Sequence, residues 1–106
     1  MVNRKSPKKQ VVVIDAGHGG NDPGKIGINQ AKEKDINLQI ALRVRRLLEQ
    51  NDMEVVLTRE TDDGLYDAGA SNKKVQDMKR RIEVIGKADA PLTVSIHQNS
   101  YSDERV

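Results

Sequence analysis

Three short apolar runs alternate with two longer amphipathic segments along this chain. The runs occupy residues 11–14, 54–58 and 92–96, and their length and β-branched content predict β-strands. Between them, apolar side chains recur at helical spacing, first at Ile36, Ile40, Val44, Leu47 and Leu48, and then at Val75, Met78, Ile82 and Ile85. The order βαβαβ predicts an α/β domain with a mainly parallel sheet and helical crossovers.

Local signals place the ends of the two predicted helices. Asp35 is the expected N-cap of the first helix, which should stop near residues 51–52. The second helix should close at Gly86 or soon after it, before Pro91 introduces the third strand. Polar, glycine-bearing loops are expected over residues 17–32 and 60–72.

The amino-acid composition limits the classes of protein to which this chain can belong. The 106 residues include two Tyr and no Phe or Trp, so the core should be aliphatic. Residues 1–10 form a basic tail before a domain spanning 11–106, yet the net charge is only +2, which argues against nucleic-acid binding. No apolar run approaches the roughly 18 residues of a membrane span. Without cysteine, the chain forms no disulfides and offers no thiolate ligands.

The two histidines of the chain suggest a metal site. His18 and His97 each follow a predicted strand, and parallel strands gather ligands at their carboxyl ends. Glu33 follows the first glycine-rich loop, so the sequence offers His, Glu and His to a divalent ion such as zinc. Asp15, Asp22 and Asp35 are other carboxylates within reach of such a site.

Phosphate binding is the competing interpretation of the glycine-rich loop. Gly19, Gly24 and Lys25 fit the spacing of a P-loop after a strand. The match fails at Ile26, where a P-loop needs Ser or Thr, and the residues that follow are poor helix formers. We therefore do not expect nucleotide binding.

Three motifs together resemble a known family. Residues 12–24 read VVIDAGHGGNDPG, residues 33–35 read EKD, and residues 95–99 read SIHQN. In this order they resemble the zinc-dependent N-acetylmuramoyl-L-alanine amidases of the amidase-3 type, which are bacterial cell-wall hydrolases. Residues 55–62 are similar to a further family segment, and the insertion over 62–72 is most similar to the sporulation branch, which acts on spore cortex.

The resemblance implies specific roles. Zn²⁺ would be held by His18, Glu33 and His97, and Asp15 would orient a ligand or the loop. Arg59 and Asn99 would contact the peptidoglycan substrate, in which the amide between N-acetylmuramic acid and L-alanine is cut. The implied location is the bacterial envelope or the extracellular space, including the forespore cortex.

The chain departs from the family pattern in one respect. Members carry a second glutamate on a later strand that acts as general base and acid, and the glutamate present after His97, Glu104, does not match that motif. We expect the chain to be the N-terminal portion of an amidase domain, with the general base beyond Val106. Weak turnover and self-association would follow. The alternative is a catalytically silent zinc- or muropeptide-binding module.

Overall fold

A three-stranded parallel sheet lies at the centre of the computed structural model, which describes residues 9–99. The strands are β1 (Val11–Ala16), β2 (Glu54–Leu57) and β3 (Leu92–Ile96), in the spatial order β2-β1-β3. Helix α1 (Glu33–Gln50) connects β1 to β2, and helix α2 (Lys73–Ala88) connects β2 to β3. The predicted parallel α/β fold is confirmed.

The central strand supplies most of the apolar core. Val13, Ile14 and Ala16 of β1 are fully buried, and the core is aliphatic as composition required. Ala41 of α1 is buried against this strand, with Val44 and Leu48 packed alongside. Because β1 has partners on both sides, it is the central strand of the sheet.

The apolar stripe predicted for α1 is only partly correct. Ile36, Ile40 and Leu47 are exposed, whereas the buried positions include Asn37 and Ala41. The helix is rotated so that its polar Asn37 faces the loop after β1, where its amide donates to the Gly17 carbonyl oxygen at 3.1 Å.

Asp35 is not the N-cap of α1, contrary to the sequence-based prediction. The helix begins at Glu33, after Lys32. The backbone N–H groups of Glu33 and Lys34 donate to the carbonyl oxygens of Lys25 and Pro23, at 2.8 and 3.0 Å. These long-range bonds satisfy N–H groups that a side-chain cap would otherwise have to satisfy.

Helix α2 also differs from its predicted packing. Its apolar residues Val75, Met78 and Ile82 are more than half exposed, and Arg81 is the buried residue of the helix. Gly86 lies within the helix, which closes two residues later at Ala88. In residues 9–99, no helix has both the length and the apolar content to cross a membrane.

Candidate metal centre

His18, Glu33 and His97 meet at the carboxyl ends of β1 and β3. The Glu33 Oε2 atom lies 3.2 Å from His18 Nε2 and 3.3 Å from His97 Nδ1. One potential ligand atom from each residue lies within 4.8 Å of the other two. The imidazole rings stand nearly perpendicular, at 88°, with centroids 5.2 Å apart. The structure therefore places together the three residues that the sequence predicted as ligands.

Glu33 is buried, and its carboxylate is held by three hydrogen-bond donors and by the nearby His18. Lys25 N–H donates to Oε1 at 3.0 Å, Gln98 N–H donates to Oε2 at 3.0 Å, and Asn37 Nδ2 donates to Oε2 at 3.2 Å. Burial alone would raise the pKa of Glu33, but these hydrogen bonds and the nearby His18 lower it to about 2. The side chain is thus an anion at neutral pH.

His18 sits in a strained turn that aims its ring into the site. Its φ is 66°, in the left-handed region, and Gly24 further along the loop also has a positive φ of 67°. A Cβ at Gly24 would lie 2.6 Å from Glu33 Oε1 and 2.7 Å from the His18 ring. A glycine is needed there because the loop backbone passes directly against two of the ligands.

Two buried arginines fix the backbone that leads into His18. Arg81 NH1 donates to the Ala16 carbonyl oxygen at 2.6 Å, and its NH2 donates to the His18 carbonyl oxygen at 2.5 Å. Arg59 donates from Nε to the Ala16 carbonyl oxygen and from NH2 to the Gly17 carbonyl oxygen, each at 3.0 Å. Three consecutive carbonyl groups are therefore held by guanidinium ions.

The placement of Arg59 argues against the predicted substrate contact. The side chain is buried, and it also donates to the carbonyl oxygens of Thr61 and Lys34 at 2.8 and 2.9 Å. With its donors committed to backbone oxygens, Arg59 supports the loop. The sequence does not reveal this burial, because a buried arginine leaves no periodic apolar signal.

Asp15 contacts the loop through Arg81 and does not itself reach a histidine. Its Oδ1 accepts from Arg81 NH1 and from Thr58 Oγ1, both at 2.8 Å, and its Oδ2 accepts from Ser95 at 3.1 Å. Burial raises the pKa of Asp15, but these donors and the charge of Arg81 lower it overall. The carboxylate therefore stays ionised and anchors Arg81 beneath the site.

Sequence reasoning missed two polar residues that matter here. Arg81 stands inside the apolar stripe of α2, three residues after Met78, and a charged residue at such a position is a usable signal of a buried ion pair. Asn37 follows Glu33 by four residues, which places the two on the same helical face. Neither position breaks the helical periodicity, so hydropathy alone does not single out either residue.

An open cleft of about 470 Å³ lies over the metal centre. Its lining includes the three candidate ligands together with Asp22, Gln98 and Asn99. Asn99 is thus near enough to touch a bound substrate, and its substrate role stays a prediction.

Glu104 lies outside the described residues. Helix α1 begins eight residues after Lys25, with a 3-10 turn between, so the loop does not have P-loop architecture.

The donor set fits a zinc ion. Two imidazole nitrogens and one carboxylate oxygen from three separate segments are the ligand types of catalytic zinc sites, which keep a fourth position open. The cleft above the ligands supplies that open side. The anionic state of Glu33 also suits a cation-binding role.

Comparison with known proteins decides the family. The family model described as N-acetylmuramoyl-L-alanine amidase matches residues 12–106. The chain belongs to this amidase family. The germination-specific N-acetylmuramoyl-L-alanine amidase of Bacillus subtilis is 35% identical over 91% of the chain and 41% of its own length. The amidase AmiA of Escherichia coli is 38% identical over 96% of the chain and 32% of its own length.

Solved amidase structures agree in fold. The CwlD amidase of Clostridioides difficile, determined in complex with the GerS lipoprotein, superposes with a TM-score of 0.86 at 38% identity. That match covers 92% of this chain and 52% of CwlD. The chain therefore spans about half of that structure and less than half of the two sequence relatives.

Proposed function

We propose that this protein is a zinc-dependent hydrolase that cleaves the amide between N-acetylmuramic acid and L-alanine in peptidoglycan. The observation that carries the proposal is the meeting of His18, Glu33 and His97 around one point below an open cleft. Membership of the amidase family supports the substrate class.

The residues around this site have different roles in holding a zinc ion. A zinc ion bound there would act as a Lewis acid on the amide carbonyl and would lower the pKa of water toward about 7. His18 and His97 would bind it as neutral imidazoles, and the Glu33 anion would neutralise one of its two charges. Asn37 and the backbone N–H groups of Lys25 and Gln98 hold that anion in place.

A separate group has to move the proton in this reaction. Within residues 9–99, the carboxylates that line the cleft are Glu33 and Asp22, and both are engaged by His18 and by backbone N–H groups. Neither is free to serve as general base. We therefore propose, as the resemblance implies, that the general base comes from a residue outside 9–99.

The test is digestion of purified peptidoglycan by the zinc-loaded protein, followed by mass spectrometry of the released stem peptides. We expect zinc-dependent release by a protein that includes the general base. This release should stop with a chelator and in Glu33→Gln, and the exposed helical variant Glu49→Gln should retain it. Release that persists after verified zinc removal would contradict the metal mechanism. A protein that binds zinc but releases nothing, beside an active relative, would favour the silent binding module.

We also propose a role in the cell envelope, at the spore cortex. The germination-specific relative of Bacillus subtilis supports this setting. Cortex muropeptides from spores that lack the gene should retain stem peptides that the wild type removes, while vegetative wall is unchanged. An altered vegetative wall with normal cortex would contradict the sporulation assignment.

A further inference from the structure

Asp22 makes a short hydrogen bond with the outer nitrogen of a metal-binding histidine. Its Oδ2 atom lies 2.7 Å from His18 Nδ1, on the side of the ring that faces away from Glu33. The opposite nitrogen, Nε2, is the atom that lies 3.2 Å from Glu33 Oε2. The two nitrogens of this ring therefore have different partners: Nδ1 contacts Asp22 and Nε2 faces Glu33.

The carboxylate of Asp22 is fixed by the loop without help from a metal. Its Oδ1 accepts from Gly24 N–H at 3.1 Å, and its backbone pairs with Gly19 in both directions, at 2.9 and 3.0 Å. These contacts close a tight turn directly after His18. Because Asp22 already restrains the ring of His18, the ring loses little further conformational freedom when it binds a metal ion.

The chemistry of imidazole gives this contact a specific consequence. A neutral ring carries one proton, and the hydrogen bond made by one nitrogen decides which nitrogen is left to bind a metal. A carboxylate at Nδ1 can only accept, so it holds the proton there. The Nε2 lone pair is then directed at the point shared with Glu33 and His97.

His97 is held differently. Its Nδ1 is the atom that faces Glu33, and its side chain is about half exposed, compared with a quarter for His18. For the residues that the structure describes, no carboxylate contacts the outer nitrogen of His97. The ring packs against Gly17, where a Cβ would collide with it. The site thus has one histidine oriented by a carboxylate and one oriented by packing.

We infer that Asp22 is a positioning residue that keeps the Nδ1–H tautomer of His18 and so prepares Nε2 for zinc. This inference rests on the proposed zinc site. Removal of such a carboxylate partner typically weakens metal binding by about 10- to 100-fold. The side chain of Asp22 is 42% exposed, so its loss should leave the aliphatic core intact.

The experiment measures zinc affinity by competition with a chromophoric chelator for the wild type, Asp22→Ala, Asp22→Asn and Asp35→Ala. Asp35→Ala is the control, because it removes an exposed carboxylate from the first turn of α1 without touching a histidine. We expect a 10- to 100-fold loss for Asp22→Ala and little change for Asp35→Ala. Asp22→Asn should be intermediate, because Asp22 accepts from His18 and Gly24 through different oxygen atoms and Asn replaces one of them with a donor NH2 group.

A second measurement separates positioning from simple loop support. Nitrogen-15 NMR of the zinc-loaded wild type reports which ring nitrogen of His18 carries the proton, and the chain has only two histidines to assign. We expect a proton on Nδ1 and zinc on Nε2. Zinc on Nδ1, or an Asp22→Ala affinity equal to that of the wild type, would overturn the inference while leaving the zinc site standing. A wild type that binds no zinc would overturn the proposed function and the inference with it.

Discussion

Replacing Arg81 by methionine should destabilise the domain strongly. Arg81 is almost fully buried and forms ion pairs with Asp15 and Asp77, each at 2.8 Å. Its guanidinium group also binds the carbonyl oxygens of Ala16 and His18. Methionine fills much of the same volume but donates no hydrogen bonds, so the variant isolates the loss of the polar contacts.

The size of this loss of stability depends on the carboxylate charge that stays buried when Arg81 is removed. Breaking a buried ion pair by removing one partner costs about 3–5 kcal/mol, because the other charge stays buried. Asp15 keeps its hydrogen bonds from Thr58 and Ser95, so the lower end of that range applies. We expect a loss of about 3 kcal/mol in the free energy of unfolding, measured by urea denaturation of the metal-free protein.

The adjacent arginine provides a matched control. Arg80 pairs with Asp67 at 3.1 Å, but both side chains are exposed, so Arg80→Met should unfold at nearly the wild-type urea concentration. Combining Arg81→Met with Asp15→Asn should recover part of the loss, because the second change removes the stranded charge. A loss below about 1 kcal/mol for Arg81→Met would refute the claim that this buried network supports the loop.

Two further predictions concern the metal centre. Removing zinc with a chelator should lower the melting temperature, because a ligand at one hundred times its Kd stabilises the native state by about 2.7 kcal/mol. An unchanged melting temperature after verified removal would show that no metal supports the fold. In the metal-free protein, the lowered pKa of Glu33 should add stability that is complete above pH 4.5, its ordinary pKa, and is lost as the pH falls toward about 2. The contribution is at most about 3 kcal/mol, and a stability difference between wild type and Glu33→Gln that is the same at pH 6 and pH 3 would contradict it.

Sequence patterns were sufficient for the fold and for the two histidines, whereas Glu33 was selected among several carboxylates by the family resemblance. Strand β1 is marked by a continuous branched apolar run and β3 by a short run rich in branched residues. Because His18 and His97 follow these strands in the chain, a parallel sheet brings both histidines to one edge. Helix faces were harder to predict. The exposed Ile36 and Ile40 have the same period as the buried Asn37 and Ala41, and hydropathy alone favours the wrong face.

The buried polar residues explain what hydropathy could not predict. Among residues 9–99 they are Glu33, Lys34, Asn37, Thr58, Arg59 and Arg81. Each of them contacts the segment from Asp15 to Lys25 or the carbonyl groups within it. Burying charge without a partner costs free energy, and each of these groups offsets part of that cost through a partner in that segment. The polar interior is therefore concentrated on the loop after β1, where its side chains hold the backbone that leads into His18.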